Sequence, residues 1–262
     1  MADMISRRIL AALLLFCVSV FSQSPSTQSV RELLNSPTLR VSEEALKKLF
    51  PMGTRNIPQY VAALSDSDEE VSDNAQYMIE LIGDRQGLEQ LDAWRNGQRF
   101  RRFVNGPINA PVDSQGYQWI DERFLQLPYE QWDAHVRATN YAFALVIDGS
   151  PKARLTLERM QEAVPESASY SNLYKVLTSG SNFLQPMCAA DSIEKQILRR
   201  SVFLGSEEKK RTYVVVIAKG LDGKSALVRE WQDFGYTYMM VLDRQPSRCW
   251  KFRSIFVASI NN

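Results

Sequence analysis

The sequence predicts an α+β fold: paired amphipathic helices first, further helices in the middle, and a four-stranded antiparallel β-meander at the C-terminal end. Three observations lead there. Displacing the chain by 30 residues superposes Leu34 on Leu64, Val41 on Val71, Ser42 on Ser72, Ala45 on Ala75, Leu49 on Ile79, Gly53 on Gly83 and Val61 on Leu91, a self-similarity that marks a structural repeat. Within that stretch Val71, Ala75, Met78, Ile79 and Ile82 recur at steps of three and four, so they share one helical face. From Arg211 onward the pattern changes to short β-branched and aromatic runs separated by turns.

At the N-terminus, Arg7 and Arg8 precede an apolar run from Ile9 to Phe21, and Val20 and Ser22 offer a cleavage site, so residues 1–22 read as a signal peptide cut after Ser22. A membrane span needs about 20 apolar residues, which makes an uncleaved anchor the minor alternative. The expected destination is outside the cytoplasm, periplasmic or secreted. Ser6 to Leu10 resemble a twin-arginine motif, which implies export of a folded chain, although the strongly apolar run that follows suits general secretion. Leu15, Phe16 and Cys17 bear some similarity to a lipoprotein signal, but that pattern wants a small residue where Phe16 stands. Residues 23–30, rich in Ser, Gln, Thr and Pro, read as a flexible leader.

Charge excludes some functions. The chain carries 31 basic and 30 acidic residues, and without the signal 29 of each remain, so no net field would gather nucleic acid or an anionic membrane surface. No stable membrane span is expected in the mature chain, and no nucleic-acid partner. In an oxidising compartment the two remaining cysteines, Cys188 and Cys249, are a disulfide candidate, with two buried free thiols as the alternative.

Residues 31–104 hold the repeat. Each unit reads as a helix pair: Val41, Ala45, Leu49 and Met52 repeat the spacing of Val71 to Ile82 one unit earlier, and Gly53 and Gly83 fall just past the helices, where a left-handed residue is needed. Asp66, Ser67 and Asp68 can cap the second long helix, while Ser36 and Pro37 occupy the matching loop. A loop of Asp and Ser, a Val-Ser-x-x-Ala helix, Leu81 to Asp84, and a second helix over Leu88, Leu91 and Trp94 together resemble the short HEAT-like repeat. That resemblance covers about a quarter of the chain and implies a protein-binding or scaffolding surface. Two units bury too little alone, since stacked repeats need about three, and residues 142–163 are the expected third.

Pro107, Pro111, Gly116 and Pro128 make residues 105–130 a linker, a hinge between lobes. Residues 131–262 then form the second lobe. Helical spacing resumes at Trp132, Val136 and Ala144, turns at Gly149 to Pro151 and continues through Met160, and further helices are expected over Ser169 to Leu177 and Ile193 to Arg200. Strands follow at Tyr213 to Ala218, Ser225 to Trp231, Tyr236 to Leu242 and Trp250 to Ala258. Tyr236, Tyr238, Met240 and Leu242 should share one face, as should Trp250, Phe252 and Phe256, and that face calls for a helical cover. Helices followed by a meander ending in a Trp-Lys-Phe strand are similar to the nuclear-transport-factor-2-like cone, which implies a pocket between sheet and helices. Trp119, Tyr236, Tyr238, Trp250 and Phe252 are the candidate pocket residues.

No catalytic, cofactor or metal-binding residue is assigned. The single histidine, His135, cannot supply the several ligands of a zinc site, and its pairing with Cys188 as a thiol nucleophile competes with a plain surface histidine and a structural cysteine. No GxSxG, CxxC, HExxH or phosphate-cradling glycine loop occurs. Asp121 with Glu122, or Glu130 with Asp133, sit among Tyr117, Trp119, Phe124, Tyr129 and Trp132, a mixture that suits sugar binding or glycoside chemistry and equally a packed loop. Arg95, Arg99, Arg101 and Arg102 interleave with Phe100 and Phe103, which reads as a solvated or bridging face. Glu207 to Arg211 reads as a charged turn. The expected function is therefore an exported, non-enzymatic binding or scaffold protein using the helical repeat for a protein partner. The alternative is a small-molecule or glycan pocket in the C-terminal lobe, with carboxylates as its only catalytic candidates.

Overall fold

The computed structural model describes residues 29–35, 41–98, 104, 106–122, 125, 132–163, 185–188, 192–200, 212–232 and 235–261. The signal and most of the leader, the helix expected at 169–177, the basic run at 99–103 and the charged turn at 207–211 lie outside them. In chain order the helices are α1 (Val30–Leu34), α2 (Glu43–Leu49), α3 (Ile57–Ala63), α4 (Glu69–Ile82), α5 (Arg85–Gly97), α6 (Ser114–Glu122), α7 (Trp132–Asp148), α8 (Pro151–Ala163) and α9 (Ile193–Arg200). A 3-10 stretch, Phe50–Asn56, links α2 to α3, and the strands are β1 (Thr212–Lys219), β2 (Ser225–Gln232), β3 (Gly235–Arg244) and β4 (Trp250–Asn261). The fold is α+β. One helix, α6, lies inside the stretch expected to be linker.

The two expected units hold two helices each, α2 and α3 joined by the 3-10 stretch in the first and α4 and α5 in the second. Val41, Ala45, Val71 and Ala75 are all buried in one core. Gly53 and Gly83 both have positive φ, at 53° and 64°, and Gly83 closes α4 in the left-handed conformation that a Cβ disfavours. The units are not identical. Ser42 caps α2, accepting from the Ala45 amide at 3.2 Å, whereas Ser72 sits inside the longer α4 and donates to the Leu64 carbonyl at 2.7 Å. Asp68 takes over the capping role for α4.

The sheet has the order β1-β2-β3-β4, antiparallel throughout. It is covered on both faces, which corrects the expectation of one helical cover. On one face Val228, Tyr238, Met240, Leu242, Phe252 and Ile255 pack against α6 to α9. On the other, Leu227, Met239, Val241 and Phe256 pack against the repeat helices. The third layer that the two helix pairs need is thus the sheet. Residues 142–163, expected to stack on them, belong to the opposite core.

Phe256 and Phe252 lie on opposite faces, contrary to the two-residue count. Val241 pairs with Ser254 but Leu242 pairs with Phe252, so Arg253 is an extra residue that inverts the alternation. A similar irregularity lies between Thr237 and Tyr238, and another between Val216 and Ala218. The bulged Arg253 reaches the carbonyl of Ile82 at the end of α4 and stands 3.3 Å from Asp243. A guanidinium there neutralises the negative end of the helix dipole.

Candidate functional site

A cleft of about 790 Å³ lies between the second helix pair and α6 and α7. Its position follows from the segment 106–113, which runs between the layers. Gly106 carries that backbone so close to α4 that a Cβ would come within 2.7 Å of Glu80 Oε2 and 3.2 Å of the Tyr77 ring. Asn109 donates to the Glu80 carbonyl at 3.1 Å. From the other side Asn140 of α7 donates to the Gly106 carbonyl at 3.2 Å and accepts from the Val257 amide at 2.8 Å. One amide side chain therefore fixes the loop and satisfies a backbone donor of the edge strand β4.

On the repeat side the wall is an ion pair. Arg95 lies 2.7 Å from Glu80, with side-chain exposures of 11% and 13%, and also donates to Gln76. Burial raises the Glu80 carboxyl above the ordinary carboxylate range; Arg95, by charge and hydrogen bond, and Arg137 oppose the rise, and Asp92 adds to it. The facing wall is aromatic and basic. Trp119 of α6 stacks on Tyr141 of α7 with centroids 5.1 Å apart and planes at 24°, and the Arg137 guanidinium lies 5.2 Å from the Trp119 centroid. Burial, opposed mainly by Arg137, raises the Tyr141 hydroxyl.

Chemically, the walls offer planar donors and acceptors, Asn109, Gln118, Glu122 and Arg137, around an aromatic pair. Charges of both signs line the cleft, so it has no strong single-sign field. Among the described residues no group of three His, Cys, Asp or Glu side chains could hold a metal ion.

Of the expected pocket residues, Trp119 lines this cleft. Tyr238 and Phe252 are buried in the core between the sheet and α6 to α9, and Trp250 packs against it with Arg244 over its ring. These three fill space instead of enclosing it. The Tyr236 side chain lies outside the described residues, as do those of Trp132, Asp133 and His135, and Phe124, Tyr129 and Glu130 altogether. Asp121 and Glu122 are not brought together: Asp121 pairs with Arg159 at 2.8 Å, while Glu122 accepts from Gln118 and lines the cleft. Adjacent helix positions diverge by about 100°, so this was physically expected. Tyr117 is covered by Lys152, whose Nζ lies 3.6 Å from the ring centroid. Cys188 and Cys249 form a disulfide, with Cα atoms 4.3 Å apart, next to an isolated antiparallel bridge between Met187 and Trp250.

The sequence reading missed Glu80, Asn140, Arg137 and Tyr141. A signal existed for three of the four. Glu80 interrupts the apolar run Tyr77 to Ile82, and Arg137 and Tyr141 are four apart on one helix.

Compared with known proteins, the chain matches no family model, and no curated protein or solved structure resembles it significantly. Among the described residues no helix is long and apolar enough to cross a membrane.

Proposed function

We propose that this protein is a binding module for a hydroxyl-rich small molecule, of mono- to oligosaccharide size, held in the cleft between its two helical layers. The cleft itself supports this: about 790 Å³ falls within the roughly 300–1,000 Å³ of small-molecule sites. Side chains such as Asn109, Gln118, Glu122 and Arg137 can each address neighbouring hydroxyls in pairs, and Trp119 offers an apolar surface to the carbon face of a ring. The mixed charge favours a neutral ligand over a strongly ionic one. Glycan binding thereby moves from the C-terminal sheet, where it was expected, to the junction of the layers.

The repeat as a protein-binding scaffold draws less support. Ten of the fourteen residues of α4 are buried, and the apolar side of both helix pairs faces the sheet. Screening an immobilised oligosaccharide array, followed by titration calorimetry of any hit, tests the proposal. Glu122→Gln and Arg137→Lys should each weaken binding on the order of tenfold, the loss of one charge-assisted hydrogen-bond set. A hit unaffected by both substitutions, or no saccharide bound at millimolar concentration, rejects it.

A further inference from the structure

A second groove, of about 390 Å³, lies at the end of the sheet where the 3-10 stretch, the end of α4 and the β1–β2 turn meet. It is built: the Leu221 amide of the turn donates to the Pro51 carbonyl at 3.0 Å, which holds the turn against the repeat. Four cations line it, Arg55, Lys224, Arg244 and Arg253, against two carboxylates, Asp222 and Asp243. Both carboxylates are committed. Asp243 lies 3.3 Å from Arg253, and Asp222 accepts from the Lys224 amide at 2.9 Å, closing the turn. Arg253 is anchored at the Ile82 carbonyl, and Arg244 leans over Trp250 with 5.9 Å to the ring centroid.

Arg55 and Lys224 are different. Both are exposed, and neither side chain has an ion pair or hydrogen bond among the described residues. They therefore bring unneutralised charge to a groove that already has a fixed guanidinium at its floor. Thr54 and Ser225 also line the groove. Flexible cations around a fixed one, with hydroxyl donors between, match an anion with several oxygens and more than one charge.

We infer that this groove binds the phosphate or pyrophosphate group of a small molecule, with Arg55 and Lys224 closing on its oxygens over Arg253. A tetrahedral oxyanion accepts from donors in several directions, which a flat carboxylate cannot do. The site is separate from the cleft above and does not depend on it.

Inorganic pyrophosphate, titrated calorimetrically at constant ionic strength, is the probe. Arg55→Gln and Lys224→Gln should each weaken binding on the order of tenfold, and Asp222→Asn, which keeps a turn-capping side chain but removes a negative charge, should tighten it several-fold. Substitutions at exposed positions such as these seldom alter stability, so unaltered thermal melts will show that the variants are folded. Opposite effects from the two kinds of substitution support the site. A flat titration, variants that bind like the unsubstituted protein, or citrate binding as tightly as pyrophosphate would each overturn it.

Discussion

Replacing Phe256 with alanine tests whether the repeat helices and the sheet are one folding unit. The ring is wholly buried, in the core between the sheet and the helix pairs, and meets Tyr77 of α4 edge-on, with centroids 5.9 Å apart and planes at 72°. Buried Phe→Ala changes cost about 3–5 kcal/mol, and loss of an edge-to-face partner places this one near the middle or above, about 4 kcal/mol. A domain holds only about 5–15 kcal/mol in total. With an m-value of about 1–3 kcal/mol per molar urea, the midpoint should fall by more than about 1 M. Urea unfolding followed by far-UV circular dichroism and by tryptophan fluorescence is the assay. Phe252→Ala, on the other face, should lower the same single transition, and Leu221→Ala, at a site 64% exposed, should change stability by less than about 0.5 kcal/mol. A loss below about 1 kcal/mol for Phe256→Ala, or helical signal that melts apart from the fluorescence, would refute the shared core.

Other perturbations read out separate parts of the structure. Tyr60 is fully buried and burial lifts its hydroxyl to about 12, with Asn56 opposing; the folded state then keeps a proton that the unfolded chain loses above pH 10, so stability should fall by roughly 3 kcal/mol between pH 10 and 12. Tyr60→Phe should be flatter over that window, and equal alkaline losses in urea melts of the two proteins would show the cause to lie elsewhere. Reducing Cys188–Cys249, which are 61 residues apart in sequence, should cost about 4 kcal/mol in the chain-entropy model; an unchanged melting temperature in reductant would contradict it. Asn140→Ala strips partners from the Val257 amide and the Gly106 carbonyl and should cost about 1–3 kcal/mol, with amide exchange at Val257 accelerating; protection that persists would mean another acceptor serves.

The local pattern of the chain revealed the N-terminal helices and the meander because each is written at short range. Periods of 3.6 and 2, glycines at helix ends and polar caps need no distant information. What it concealed was how many faces the sheet buries. Tyr238 to Leu242 is buried at every position, and Ile255 to Val257 likewise, yet alternating aromatic residues in β3 suggested a one-sided strand. A continuous apolar run is the mark of a strand covered on both sides, so a signal was present and read too narrowly. The bulge at Arg253 was not legible in this way. It shifts Phe256 to the opposite face without any local breaker, since neither glycine nor proline marks it. The cleft was hidden for a different reason: Glu80, Arg95, Trp119 and Tyr141 meet only after four helices have packed.

Among the described residues β3 and the middle of β4 are buried on both faces, so a ligand-sized space is expected to lie at the margins of the sheet. Both spaces described above do. The first opens beyond the edge strand β4, where the helix layers on either face come together across residues 106–113; Asn140, which lines it, is also the residue that accepts from β4. The second opens at the end of the strands, under the β1–β2 turn. In each, one side chain serves both fold and site, Asn140 in the first and Arg253 in the second. Substituting either should therefore move stability and ligand affinity together, whereas Glu122, Arg55 and Lys224, which reach into the spaces without holding the layers, should move affinity alone. That division follows from placing the sheet in the middle, and it separates residues that build the sites from residues that fill them.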